Sequence, residues 1–157
     1  MGLDVCVRKP LVVTCGADRT VRVWNYVERT QELCKVFPDD VLSVAFHPSG
    51  LQLLVGFTDK LRLMNLLMDD IRPVQALPAK GCRECAFSEG GHMFAATNGN
   101  AIVVYSTYSC ELVATLRGHN SRVHSIRWTG ADRHIVSAGA DGAVYLWDVA
   151  AGKREGE

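Results

Sequence analysis

The 157-residue sequence has no excess of either charge, since 17 Lys and Arg stand against 17 Asp and Glu. No overall field therefore draws it to nucleic acid or to an anionic membrane, and neither is expected as a partner. It has no apolar run near the ~20 residues that cross a bilayer. Its start, "MGLDVCVRKP", lacks a basic stretch followed by an apolar one. A soluble, cytoplasmic chain is the expectation. Gly2 follows Met1, but the myristoylation motif wants Ser or Thr where Cys6 stands. The six cysteines (Cys6, Cys15, Cys34, Cys82, Cys85, Cys110) come with no secretion signal, so they are expected reduced and buried as small hydrophobes. Cys82 and Cys85 form a C-x-x-C with no second pair at a spacing that completes the four ligands of structural zinc. On a strand, residues three apart also face opposite sides, so no metal is expected. The glycines of "GADG" and "SEGG" do not open a helix ahead of a phosphate, and no nucleotide or other cofactor is expected.

What the sequence does have is a repeat. Asp141, Asn100, Asp59 and Asp18 stand 41 residues apart, as do Trp128, Phe87 and Phe46, and again Val123, Cys82 and Val41. Three columns in one register fix the architecture before any local reading does. Within a unit such as "VLSVAFHPSGLQLLVGFTDKLRLMN" (41–65), short apolar strands alternate with Pro-Ser-Gly and Thr-Asp-Lys turns. Each unit reads as a three-stranded meander. "ELCKVF", "VQALPA" and "ELVATL" supply a fourth strand to the first three units. The units span 2–37, 41–79, 82–116 and 118–148, and 149–157 reads as a charged tail or a truncated next strand. Strands such as "AVYLW" and "AIVVY" are apolar on both faces, as in a sheet sandwiched between two others. The expected fold is all-β, part of one β-propeller, with three four-stranded blades and a three-stranded fourth. Met64, Leu67, Met68 and Ile71 follow helical spacing and suggest a turn of helix over 67–71 against that register.

"GHNSRVHSIRW…HIVSAGADGAVYLWD" (118–148) resembles the WD40 repeat from its Gly-His opening to its Trp-Asp close, and "VVTCGADRTVRVWN" resembles it in the first unit. The family's structural tetrad maps onto His119, Ser137, Asp141 and Trp147, and a partial one onto Thr14, Asp18 and Trp24. In the middle units Val55, Met64, Ala96, Asn100 and Tyr105 replace its members, so those blades depend on packing. A buried carboxylate is costly unless hydrogen-bonded, so the resemblance implies a bonded chain from Asp141 through His119 and Ser137 to the indole of Trp147. "GLDVCVRKPLVVTC", "VGFTDKLRLMNLLMDDIR" and "NGNAIVVYSTYS" resemble the axonemal, cilia- and flagella-associated members of the family. That likeness implies a structural adaptor of motile cilia that places or regulates inner dynein arms, with axonemal or dynein-arm proteins as partners.

Four units are about half of a ring of about seven blades, so one face of the first blade and one of the last are expected to lie open. Each is expected to approach the ~300–600 Å² of apolar patch that a monomer tolerates, which implies self-association or a missing propeller half as partner. The residues before the turn acids, Ala17, Thr58, Gly99 and Ala140, offer no aromatic or Arg anchor. Contacts are expected instead on outer loops, through Tyr26, Arg29, Arg72 and Tyr108. No catalytic residue is expected. His119 is engaged, the remaining histidines fall in turns or at strand starts, and only Asp4 and Glu84 could point into a channel. A propeller enzyme is thus the weaker alternative. So is a ubiquitin-ligase substrate receptor, because Tyr26 and Val149 stand where an Arg would follow the Trp-Asp-like endings.

Overall fold

The computed structural model describes residues 2–6, 8–67, 70–79, 81–129 and 131–156. Alternating apolar residues and tight turns leave the backbone no local partner but the neighbouring strand, and every regular element among the described residues is a β-strand. No helix among them is long and apolar enough to cross a membrane. Blade 1 comprises β1 (Gly2–Val5), β2 (Leu11–Cys15), β3 (Thr20–Asn25) and β4 (Thr30–Val36). Blade 2 comprises β5 (Val41–Phe46), β6 (Gln52–Phe57), β7 (Leu61–Leu66) and β8 (Ile71–Leu77). Blade 3 comprises β9 (Cys85–Phe87), β10 (Met93–Asn98), β11 (Ala101–Ser106) and β12 (Leu112–Arg117). Blade 4 comprises β13 (Val123–Thr129), β14 (His134–Gly139), β15 (Val144–Asp148) and β16 (Lys153–Gly156).

Each sheet is an antiparallel meander in chain order. The innermost strands β1, β5, β9 and β13 adjoin in succession, so the sheets stand radially as part of a propeller. Three apolar clusters fill the joints between blades 1 and 2, 2 and 3, and 3 and 4. Among the described residues, no such cluster joins blade 4 to blade 1.

One expectation is corrected by β16: the fourth blade has four strands and not three. The tail carries no apolar pattern to announce a strand, but a ladder needs only backbone groups. The chain reverses after β15 because Gly152 N–H bonds to Asp148 O at 2.9 Å and Ala151 N–H to Asp148 Oδ1 at 3.0 Å. Gly152 takes the positive φ (67°) that this turn requires. The third and fourth strands of all four blades also share one bulge, at Val23/Trp24, Leu63/Met64, Val104/Tyr105 and Leu146/Trp147. The helical spacing over 67–71 is resolved partly: Met64 lies in β7 and Ile71 in β8, while Met68 and Asp69 lie outside the described residues.

Candidate functional site

In blade 4 the structure brings the four tetrad residues into one chain of hydrogen bonds. Trp147 Nε1–H donates to Ser137 Oγ at 2.7 Å, and His119 Nε2 lies 2.7 Å from the same oxygen. Asp141 Oδ1, 3.4 Å from Nδ1, can only accept, which assigns the imidazole proton to Nδ1 and leaves Nε2 to accept the Ser137 O–H. Asp141 also accepts Asn120 N–H at 2.9 Å and Ala143 N–H at 3.1 Å. These two backbone donors, and then His119, hold its carboxyl below the usual carboxylate range. His119, Ser137 and Trp147 are buried. The network is committed to joining β14, β15 and the strand-entry loop, and leaves no free base.

Blade 1 keeps one link of this chain: Trp24 Nε1–H donates to Thr14 Oγ1 at 3.0 Å. The structure does not bring Asp18 to that pair. Asp18 accepts Thr20 Oγ1–H at 2.6 Å and meets Arg22 at 3.3 Å, and the Thr20 bond leads in lowering its pKa. In blade 3, Tyr105 stacks on Phe94 with centroids 5.6 Å apart, and in blade 2 Met64 lies fully buried.

The innermost strands line a half-open pocket of about 330 Å³ whose charged lining includes Asp4, Glu84 and Arg127. Burial raises the pKa of both carboxyls, against the opposing effect of Arg127. Asp4 is occupied: it accepts Phe46 N–H at 2.7 Å across the blade 1–2 joint, and Val5 N–H at 2.9 Å. Among the described residues, no histidine lines the pocket. Among the described residues, no group of three or more His, Cys, Asp or Glu is placed to hold a metal ion.

The C-x-x-C pair sits beside this pocket in an arrangement that strand periodicity misses. Cys82 lies in the bend before β9, and so both sulfurs approach one hydroxyl, Ser43 Oγ, at 3.9 and 3.5 Å. Ser43 donates to the Cys82 carbonyl at 2.8 Å, and Cys82 Sγ–H to Glu84 O at 3.3 Å. The hydrogen bond to Cys82, and then burial, push the Cys85 thiol well up. All six cysteines are free, but they are not all buried: Cys110 is partly covered and Cys34 is exposed. Cys34 pairs with Arg22 across β3–β4, on the face of blade 1 turned away from blade 2.

The expected contact residues lie on three blades and mark a rim. Tyr26 and Arg29 stand in the β3–β4 turn, and Tyr108, 84% exposed, stands in the corresponding β11–β12 turn. Arg72, on β8, reaches Asp70 at 3.7 Å, and Asp70 meets Lys35 at 2.8 Å between blades 1 and 2. On the same end lies a groove of about 370 Å³, lined chiefly by Leu11, Leu33, Leu51, Leu66 and Leu67, which the sequence reading did not find. The available signal is Leu51 and Leu67, apolar residues in turn positions where polar ones are usual.

A sequence model of the family described as "WD domain, G-beta repeat" matches residues 1–25 and 110–148. The chain is similar to Cilia- and flagella-associated protein 57 of Mus musculus, at 53% identity over 156 residues, which covers 99% of this chain and 12% of that protein. It is 44% identical over 150 residues to Cilia- and flagella-associated protein 57 A of Tetrahymena thermophila, covering 94% of this chain and 12% of the relative. The Tetrahymena protein 57 C is 35% identical over 158 residues, covering 92% and 12%. The chain thus spans about an eighth of the length of these relatives. The model matches around blades 1 and 4, where a tryptophan meets a blade hydroxyl, and the relatives extend the likeness through the two blades between; the chain carries the WD40 repeat in its first and last units and is similar to these relatives along nearly its whole length.

Proposed function

We propose that this chain is a non-catalytic interaction scaffold of motile cilia and flagella, part of one propeller over residues 1–157, that helps to position or regulate inner dynein arms. The observation that carries this reading is the 53% identity along 99% of the chain to a protein named for its association with cilia and flagella. The side-chain chemistry supports the non-catalytic part. His119 and Ser137 are bonded into the tetrad, and Asp4 is held by two backbone donors, so these groups are committed to the structure. In this reading the partners are axonemal or dynein-arm proteins met in the axoneme, and nucleic acid and membrane are not partners. Tyr26, Arg29, Arg72 and Tyr108 contact them, being aromatic and guanidinium groups on projecting turns and an outer strand.

Co-sedimentation of the purified chain with doublet microtubules, with and without a dynein-arm fraction, tests the proposal. The chain is expected to pellet with arm-bearing doublets, and paired Tyr108→Ala and Arg72→Ala changes to weaken pelleting about tenfold or more, as loss of interface anchors does. A chain that stays in the supernatant, or variants that pellet like the parent, would overturn it.

A further inference from the structure

The scaffold role uses neither Cys82 nor Cys85, yet the two are placed unlike simple apolar filler. One 41-residue step away on either side, the equivalent positions are Val41 with Val44 and Val123 with Ile126. In blades 2 and 4 the innermost strand carries a bulge between those positions, at Val41/Ser43 and Val123/Ser125. A bulge sets two residues against one on the partner strand, so residues three apart return to the same face. Val41 and Val44 accordingly share one apolar cluster and Val123 and Ile126 another, while Cys82 and Cys85 share the cluster at the joint of blades 2 and 3. Branched aliphatics fill the two positions in blades 2 and 4, and sulfur fills both in blade 3.

Polar contacts hold the two sulfurs together. Ser43 Oγ, reaching across from blade 2, lies 3.5 Å from Cys85 Sγ and 3.9 Å from Cys82 Sγ, and the two thiols hydrogen-bond to each other. The bond from Cys85 holds the Cys82 thiol below its ordinary value while Cys85 is pushed up, so Cys82 ionises first. Cys82 precedes the β9 ladder, in which Cys85 pairs with Ala96, so it can close on Cys85 without breaking a strand pair. Cys85 lines the half-open pocket on the innermost strands, which gives a molecule the size of a peroxide a route to the pair.

We propose that Cys82 and Cys85 are a redox-active dithiol that a peroxide oxidises to an intrachain disulfide. The Cys82 thiolate attacks one oxygen of hydrogen peroxide and breaks the O–O bond. A sulfenic acid forms on Cys82, and the other oxygen leaves as hydroxide and takes up the proton that Cys82 released. The Cys85 sulfur then attacks the Cys82 sulfur, the S–O bond breaks, and the hydroxide leaves as water with the Cys85 proton. Two thiols thus lose two electrons and two protons, and one peroxide becomes two waters. The new bond closes the bend at 82–85 and ends the sharing of both thiols with Ser43, so the oxidation is felt at the joint of blades 2 and 3. The inference rests on this joint and not on the ciliary reading, so either can fail alone.

The test treats the intact chain with hydrogen peroxide, blocks the remaining thiols with N-ethylmaleimide and reads the tryptic peptides by mass spectrometry. Trypsin cuts after Lys80 and Arg83, so the disulfide joins peptide 81–83 to peptide 84–117. The joined pair is expected in most of the molecules, with fragmentation placing the bond on Cys85 and not on Cys110, and dithiothreitol is expected to separate it. Cys85→Ala is expected to strand the sulfenic acid on Cys82, where dimedone labels it roughly tenfold more than in the parent chain. Cys110→Ala is expected to leave the joined pair unchanged. Peptides of the parent chain that stay separate with maleimide on both cysteines overturn the proposal. So does dimedone labelling of Cys82 that is equal in parent and Cys85→Ala, or a Cys82 joined as often to Cys34 or Cys110 as to Cys85.

Discussion

Replacing Ser137 by alanine removes an oxygen that serves two buried partners at once. Trp147 Nε1–H loses its acceptor at 2.7 Å and His119 Nε2 loses its donor at 2.7 Å. Trp147 is 1% exposed, so water cannot take the place of the hydroxyl without opening the blade 3–4 joint. A buried polar group left unsatisfied costs about 1–3 kcal/mol, and two of them, with some relaxation, give roughly 2–4 kcal/mol. That is a large share of the ~5–15 kcal/mol by which domains are stable. Thr14→Ala is the control: it breaks one bond of 3.0 Å, and Trp24 is only partly buried, so water can substitute and the cost is about 1 kcal/mol or less. Urea unfolding followed by tryptophan fluorescence measures both, at one fixed protein concentration because association would shift the midpoint. Trp147→Phe removes the indole donor itself, so Ser137→Ala combined with it is expected to cost less than the sum of the two. Equal losses at Ser137 and Thr14, or strict additivity with Trp147, would refute the reasoning.

Asp132, 7% exposed at its side chain, accepts Glu89 N–H and Gly90 N–H, each at 2.7 Å, across the blade 3–4 joint. Asp132→Ala is expected to cost about 2–3 kcal/mol and to speed amide exchange at Glu89 and Gly90, which hydrogen exchange reads residue by residue. Gly56→Ala is expected to cost about 2–3 kcal/mol or more in thermal unfolding, because a Cβ there would collide with Ser43 Oγ and lie 2.5 Å from the Cys82 carbonyl oxygen. Gly99→Ala has open space around it and only its positive φ of 67° to contend with, so about 1 kcal/mol is expected. Asp70, Asp18 and Asp141 have lowered folded pKa values, caused first by Lys35, by Thr20 and by Asn120 N–H respectively. Their contribution is complete above the unfolded value of about 3.9 and is lost as pH falls through the folded values. The urea midpoint should therefore hold from neutral pH to about 5 and fall below about 4. Asp4 and Glu84, raised by burial, act in the opposite sense as they take up protons, and Asp70→Asn should flatten the acid limb.

The parts of this fold that a single blade determines were legible in the sequence. The turn Asp and Asn residues at 41-residue steps, the glycines of the hairpins and the Ser137–Trp147 spacing are local, because strand pairing within a meander is set by chain distance. Contacts between blades were not legible, since they depend on how the sheets stack. Nothing in the periodicity says that Asp132 reaches back to Glu89 or that Asp4 holds Phe46 N–H. Cys82 and Cys85 were read as opposed because a strand was assumed through both; the bend before β9 brings them to one hydroxyl. β16 was left open between a charged tail and a strand because it lacks an apolar pattern, and Cys34 was misjudged because outer-strand burial depends on which face the neighbouring blade covers. The groove leucines were visible singly, but only the stacking of blades 1 and 2 collects them.

The distribution of the polar network follows from the same stacking. Blades 2 and 3 have a neighbour on each face, and their front and back columns are buried in two clusters apiece. Dispersion and apolar burial then hold the third strand in place from both sides, and a hydroxyl beneath an indole adds little. Val55 and Ala96 in the hydroxyl column are fully buried there, which suits apolar side chains better than a hydroxyl without an indole partner. In blades 1 and 4 a tryptophan on the third strand is instead tied to a hydroxyl on the second. A directional bond within the sheet adds to apolar packing in holding that strand, whereas the two degenerate blades hold theirs by packing on both faces.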